Sequence, residues 1–262
     1  MLSAERRKFI LELIEDRNSI SVAELCKMLD VSDMTIRRDL RTLANEGLLE
    51  RVHGGALSRR GRSYEPPYLI RSTKAVEQKE LIGRRAADLI EEGDSIGLDV
   101  GTTTLELAKA MLGIPNLTVI TASLSIAEVL SEAPNIRLIM TGGILRKEEF
   151  SLVGHIAQRT YEEFRIDKAF VGIGGLHLEA GLTEYNLEDT LVKKALIANA
   201  GQVIVLADGS KFGETCFALI APIAEMDVLV SDEGAPKEMI EALTDRGVEV
   251  IIAKKKADDK EK

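Results

Sequence analysis

The chain has 262 residues, 45% of them hydrophobic, which is enough for one large domain or two smaller ones. Aromatics make up only 4% and Trp is absent, which argues against base stacking as a binding mode, and no apolar run nears the ~18 residues of a membrane span. The net charge of −9 speaks against nucleic-acid binding until its distribution is read: residues 1–62 hold 12 Lys+Arg and 10 Asp+Glu, whereas the remainder holds 22 and 33.

A mildly basic head on an acidic body fits a DNA-binding module joined to something else. The two cysteines, Cys26 and Cys216, are far apart and in no metal-ligand spacing. They read as buried thiols in a reducing compartment. The N-terminus is charged and carries no signal-peptide pattern, so a soluble cytoplasmic protein is expected, with no metal and no cofactor.

Ala4 to Arg17 reads as a helix with Ile10, Leu11, Leu13 and Ile14 on its apolar face. Asn18 and Ser19 break it, and Ile20 starts a short extended piece. Ser21-Val22-Ala23-Glu24 is a capping box that opens a second helix to about Leu29. Asp30-Val31 makes a tight connection. Ser32 caps a third helix in which Ile36, Leu40 and Leu43 repeat at i, i+4 and i+7. Gly47 ends it as a left-handed C-terminal residue does. Leu48 to Val52, the turn His53-Gly54-Gly55 and Ala56-Leu57 read as a hairpin.

Helix, helix, turn, helix, hairpin is the order of a winged helix-turn-helix. Its third helix would enter the major groove of double-stranded operator DNA. The residues expected to face DNA are Ser32, Met34, Thr35, Arg37, Arg38 and Arg41, with Arg51 and His53 on the wing. The arginines suit phosphates or guanine edges, and Met34 and Thr35 suit a thymine methyl. His53 fits a polar turn residue as well as a phosphate contact.

Arg6-Arg7 with Ile10, Ser21-Val22-Ala23-Glu24-Leu25, Thr35-Ile36-Arg37-Arg38-Asp39-Leu40, Gly47-Leu48-Leu49 and Arg51-Val52-His53-Gly54-Gly55-Ala56 together resemble the DeoR-type bacterial transcription regulators. Asp39 within this string is expected to be structural, because a carboxylate facing phosphate repels. Arg38 or Arg41 is its expected partner.

Residues 58–93 read as a linker and connecting helix. Ser58 to Ser63 is polar and basic, Pro66-Pro67 makes a kink, and a long helical pattern runs from Tyr68 to Ile90, where it would carry a signal between head and body. From 94 to 253 strand-like runs alternate with helices: Ser95–Asp99, Leu117–Thr121, Arg137–Met140, Ala169–Ile173, Val203–Ala207, Val228–Ser231 and Val248–Ala253 are the strands. That alternation predicts an α/β body with a mostly parallel sheet covered on both faces. A charged tail, 254–262, follows.

Ligands of such sheets bind at the carboxyl ends of strands. The loops expected there are polar or rich in glycine. Asp99-Val100-Gly101-Thr102-Thr103-Thr104 opens a helix with amides and hydroxyls suited to an anion. Thr121-Ala122-Ser123, Thr141-Gly142-Gly143, Gly172-Ile173-Gly174-Gly175 and Asp208-Gly209-Ser210-Lys211 follow later strands. Each alone can be a mere turn; five on one edge point to a small phosphorylated ligand held by Asp99, Gly101, Thr102, Thr103, Thr104, Ser123, Gly142, Gly143, Gly174, Gly175, Asp208 and Lys211.

The body strings also stand in the order of the DeoR-type effector domain, whose fold resembles ribose-5-phosphate isomerase and the coenzyme A transferases. That resemblance implies a sugar phosphate bound by Thr102–Thr104 and Lys211. Ala122 departs from the Asn of many relatives. The isomerases carry acids after the fourth strand, where this chain has Gly172-Ile173-Gly174-Gly175, and a general-base Glu whose place falls here on Lys193. A sensor is therefore expected: a regulator, in the first instance a repressor, released by a sugar phosphate and acting as a dimer or tetramer. The alternative is an isomerase-like enzyme with an appended head, in which Glu184, Glu188 or Asp189 would be the remaining acids.

Overall fold

The computed structural model describes residues 2–17, 19–45, 48–58 and 61–255. The chain divides into two compact units, 1–74 and 75–262.

The first unit begins with α1 (Ser3–Arg17), β1 (Ser19–Ser21), α2 (Val22–Leu29) and α3 (Asp33–Asn45). The hairpin β2 (Glu50–Val52) and β3 (Gly55–Leu57) follows, then α4 (Tyr68–Thr73). The capping box is complete: Ser21 Oγ accepts the Glu24 amide at 3.2 Å while Glu24 Oε2 accepts the Ser21 amide at 3.0 Å. Asp30 takes a left-handed φ of 51° and turns α2 into the link before α3. Ser32 Oγ accepts the Thr35 amide at 3.4 Å and so starts α3. Gly47, expected to end α3, lies outside the described residues. Ile10, Ile14, Leu25, Ile36, Leu40, Leu43 and Leu49 close the core. The extended piece at Ile20 pairs with β3, so the wing is a three-stranded sheet in the order β1-β3-β2.

The single helix expected over Tyr68 to Ile90 is two helices. Ala75 has φ +50°, which no α-helix accommodates. Residues 68–73 form α4, whose Ile70 is buried in the head core. Residues 76–87 form α5, which belongs to the second unit. The apolar positions Leu81, Ile82, Ala86, Leu89 and Ile90 all lie beyond the break and pack in the second unit, and the polar run Arg71-Ser72-Thr73-Lys74 separates them from Ile70.

The second unit opens with α5 (Val76–Ala87), β4 (Ser95–Leu98), α6 (Thr102–Ala110), β5 (Leu117–Thr121), α7 (Leu124–Ser131) and β6 (Ile136–Met140). Then come β7 (Ile144–Arg146), β8 (Ser151–Val153), α8 (His155–Glu162), β9 (Ile166–Gly172), β10 (Gly175–His177), β11 (Gly181–Glu184) and α9 (Leu187–Ala198). It ends with β12 (Ala200–Leu206), a 3-10 turn at Gly209–Lys211, β13 (Ala218–Ala221), β14 (Val228–Asp232), α10 (Lys237–Asp245) and β15 (Glu249–Ala253).

Seven of these strands form one parallel sheet in the order β15-β14-β12-β9-β4-β5-β6. Successive residues of a strand point to opposite faces. Val203 and Val205 therefore join one apolar layer, with Leu196 and Ile197 of α9, while Ile204 and Leu206 join the other, with Ile82 of α5 and Leu107 of α6. Gly83 lets α5 and α6 touch, since a Cβ there would lie 2.6 Å from the Glu106 carbonyl carbon. The strand order reverses between β4 and β9, and the crevice of such a sheet opens there. Two small antiparallel pieces, β7-β8 and β10-β11-β13, are additions that the seven-strand reading did not contain.

Candidate functional site

In the first unit α3 buries one side and exposes the other. Met34 is 81% exposed, and Ser32, Arg37, Arg38 and Arg41 are exposed with it, whereas Thr35 is half-buried. Arg51 on β2 and His53 in the wing turn are exposed as well. Arg37 is held by its own helix: Asp33 Oδ1 accepts its Nε at 2.5 Å and Oδ2 accepts a terminal nitrogen at 3.1 Å. That contact keeps the Asp33 carboxyl below its ordinary range. Among the described residues Arg38 and Arg41 form no ion pair, so their charge is open to an anionic partner. Asp39 is buried and pairs with Arg6, whose Nε lies 2.6 Å away. The expected partners, Arg38 and Arg41, point elsewhere because position 39 falls on the inner face of α3 beside α1.

In the second unit the parallel sheet brings the loops after β4, β5, β6, β9 and β12 to one edge. Much of the polar equipment there is already committed. Thr104 donates its hydroxyl to the Gly101 carbonyl at 3.1 Å. Ser123 caps α7 by accepting the Ile126 amide at 3.3 Å. Asp208 accepts the Ser210 amide at 2.9 Å. Gly142 and Gly143 have φ of +70° and +121°. A Cβ on Gly174 would meet Cys216 Sγ at 2.9 Å, and one on Gly175 would meet the Glu214 carbonyl oxygen at 2.5 Å. A left-handed backbone accounts for Gly142, and close packing accounts for Gly143, Gly174 and Gly175.

Gly101, Thr102, Thr103 and Lys211 remain. Gly101 at the start of α6 has φ +148°, and no side chain caps that helix, unlike α7 and α9, which Ser123 and Asn186 cap. The first amides of α6 therefore face the strand ends beside the buried Thr102 and Thr103. Lys211 is half-buried, and among the described residues its ammonium has no ion pair.

The centre of the edge is a buried charge cluster. Lys193 of α9 pairs with Asp99, donates to the Gly172 carbonyl at 3.0 Å and lies 3.4 Å from Glu184. The Gly172 amide donates to Asp99 Oδ2 at 2.9 Å. Asp99 is thus bound to β9 and α9 and is not offered to a ligand. Burial pushes its carboxyl up to about 6 against the pull of the Lys193 ammonium. Burial alone would lower the Lys193 pKa, but Asp99 and Glu184 outweigh it and hold the amine above the usual lysine range.

Glu184 is a partner of Lys193. Asp189 is buried and pairs with Arg146. Neither is a free acid, whereas Glu188 is exposed. Reading along the sequence missed Arg146 and the role of Asp189. A charge set among Val192, Leu196 and Ile197 on the inner stripe of α9 was the available signal. Ala122 is buried in the same apolar cluster as Tyr161. Both cysteines are free thiols, and burial pushes the Cys216 thiol up to about 11. No helix among the described residues is long and apolar enough to cross a membrane.

A helix-turn-helix head carried on the same chain as a doubly wound parallel sheet is the build of a transcriptional regulator that responds to a ligand. Comparison with known proteins makes this specific. The DeoR-like helix-turn-helix domain matches residues 6–61 and the DeoR C-terminal sensor domain matches residues 74–233. The chain is 34% identical to the Escherichia coli HTH-type transcriptional regulator YgbI, over 97% of this chain and 99% of that protein. It is 32% identical to the Escherichia coli glycerol-3-phosphate regulon repressor, over 96% of this chain and 100% of the repressor. A structure of ribose 5-phosphate isomerase from Methanocaldococcus jannaschii superposes with a TM-score of 0.40 at 19% identity, covering 52% of this chain and 54% of that one. The chain belongs to the DeoR family of helix-turn-helix transcriptional regulators.

Proposed function

We propose that this regulator is a repressor of a carbohydrate-metabolism operon, released from its operator when a phosphorylated sugar binds at the carboxyl edge of the sheet. The observation that carries the reading is the start of α6, which has no side-chain cap, a glycine at the turn and buried threonines, with Lys211, which has no ion pair among the described residues, on the same edge. Amides at a helix start and a lysine together favour a phosphate. The name of the glycerol-3-phosphate regulon repressor accords with such a ligand.

Catalysis is the weaker reading. A proton shuttle between adjacent carbons needs a carboxylate base free to act. The place expected for that base holds the Lys193 ammonium, locked to Asp99, and Glu184 is drawn to the same cation.

On the DNA side, α3 enters the major groove while Arg51 and His53 meet the flanking backbone. One head reads a short half-site, so a homodimer or tetramer binds paired half-sites. The effector acts by binding the DNA-free arrangement more tightly; equal affinity for both arrangements would shift nothing.

The test is operator release. A fragment from upstream of the gene is bound by the purified protein and titrated with a panel of sugar monophosphates. At least one should release it, and Lys211→Ala should still bind the fragment but no longer let go. Operator binding indifferent to every sugar phosphate, or turnover of pentose phosphates by the protein, would sink the proposal.

A further inference from the structure

The hairpin β7-β8 sits at the carboxyl edge, next in the chain after β6. Its root is the pair Gly142 and Gly143, and a Cβ on Gly143 would lie 2.5 Å from the Val153 carbonyl oxygen. The hairpin is joined to the loop after β5: the Leu152 amide donates to the Ala122 carbonyl at 2.8 Å, and the Leu124 amide to the Phe150 carbonyl at 2.9 Å. Ser123 and Ser151 bridge the same two segments. Its turn ends on Phe150, a non-glycine residue at φ +54° with a side chain 47% exposed.

The other attachment is electrostatic. Both hairpin strands reach one carboxylate of α9: Arg146 of β7 pairs with Asp189, and Ser151 Oγ of β8 donates to Asp189 Oδ1 at 3.0 Å. The Asp189 side chain is 6% exposed and that of Arg146 is 18% exposed, so water screens the pair weakly. Asp189 lies one helical turn before Lys193 and adds to the negative field that keeps that amine protonated. The Asp189 carboxylate therefore ties both strands of the hairpin to α9, one turn from the charge cluster where the strand order reverses.

We propose that the β7-β8 hairpin is a flap at the strand-end cleft and that Asp189 is the positioning residue that latches it. The latch sets how often the flap opens. Its role in admitting and retaining a ligand rests on the reading of the cleft as the effector site; its role in holding the flap does not.

Hydrogen exchange on the full-length, ligand-free protein tests the latch. Asp189→Asn and Arg146→Ala should each speed exchange of residues 144–153 by about tenfold or more, as loss of a local tie does, while amides of β4 and β9 keep their protection. The double variant should match the faster single one, because both remove the same pair. Arg146→Lys, which keeps the charge, should restore part of the protection, and Arg146→Ala alone decides the latch if Asp189→Asn does not fold. Unchanged exchange of 144–153 in Arg146→Ala overturns the latch. Glycerol 3-phosphate and fructose 1-phosphate are then used as probes in thermal shift and exchange. A phosphate that stabilises the wild type should slow exchange at 144–153; stabilisation with no change there overturns the flap's part in ligand retention. If no phosphate stabilises the wild type, the effector reading fails, and the ligand-free comparison still decides the latch.

Discussion

Lys193 and Asp99 form an ion pair in which neither side chain is more than 4% exposed, across the point where the order of the parallel sheet reverses. The same ammonium holds the Gly172 carbonyl, so the carboxyl ends of β4 and β9 are fastened to α9 by one residue. Removing one partner of a buried pair leaves an uncompensated charge, at a cost of about 3–5 kcal/mol. Lys193→Met should lower the stability of the second unit by that order in urea unfolding. Adding Asp99→Asn should recover much of the loss. A Lys193→Met protein as stable as the wild type would show that the pair adds nothing to the stability of the fold.

The Asp99 carboxyl also makes a pH signature. Its folded value of about 6 stands above the ordinary 3.8. Between those values the folded protein binds more protons at this position than the unfolded chain. The Asp99 contribution to stability is therefore complete below pH 3.8 and is lost as the pH rises through about 6. Lys193 is protonated in both states across this interval and adds no slope there. Wild-type stability relative to Asp99→Asn should decline between about pH 4 and pH 7. A difference independent of pH in unfolding experiments over this range would contradict it.

In the head, Arg6 and Asp39 are both buried and joined at 2.6 Å, which ties α1 to α3. Asp39→Ala should destabilise the first unit by about 3 kcal/mol and weaken operator binding through loss of folded head. Replacing both residues by apolar ones of similar size should restore stability. Calorimetry of the single and double variants separates this from a direct role in DNA contact, in which the double variant would stay defective in binding while fully folded.

Among the described residues Arg38 and Arg41, unlike Arg37, have no carboxylate tie. If they meet phosphates, each Ala substitution should weaken binding to operator and to unrelated DNA alike and reduce the slope of log affinity against log salt by about one. Arg37, oriented by Asp33, is expected to discriminate sequences, so Arg37→Ala should narrow the gap between operator and unrelated DNA. A salt slope unchanged in both Arg38→Ala and Arg41→Ala would move the interface off this face of α3.

The head was legible because its signals are local. The capping box, Ser32 as cap and the Ile36, Leu40, Leu43 spacing each involve residues within one or two turns, and the backbone responds to them directly. At Tyr68 to Ile90 one helix was expected, but Ile70 serves the head core, Ile82, Ala86 and Ile90 serve the body core, and Ala75 breaks the helix between them. The hairpins at Ile144–Val153 and Gly175–Glu184 are three or four residues per strand, too short for alternation to stand out.

What the sequence determined by itself was the helices and hairpin of the head and the seven strands of the parallel sheet, because hydrophobic period and turn chemistry are properties of neighbours in the chain; the family came from the resemblance of its motif strings. Which polar groups are free was decided only by tertiary structure. Asp99, Ser123 and Asp208 read as ligand contacts until packing brought Lys193, the α7 amides and Ser210 against them. Asp39 found Arg6, which is 33 residues away, and Asp189 found Arg146 and Ser151. A buried charge must be paired or hydrogen-bonded, and the partner that satisfies it is chosen by where the helices and strands meet, which no spacing along the chain records.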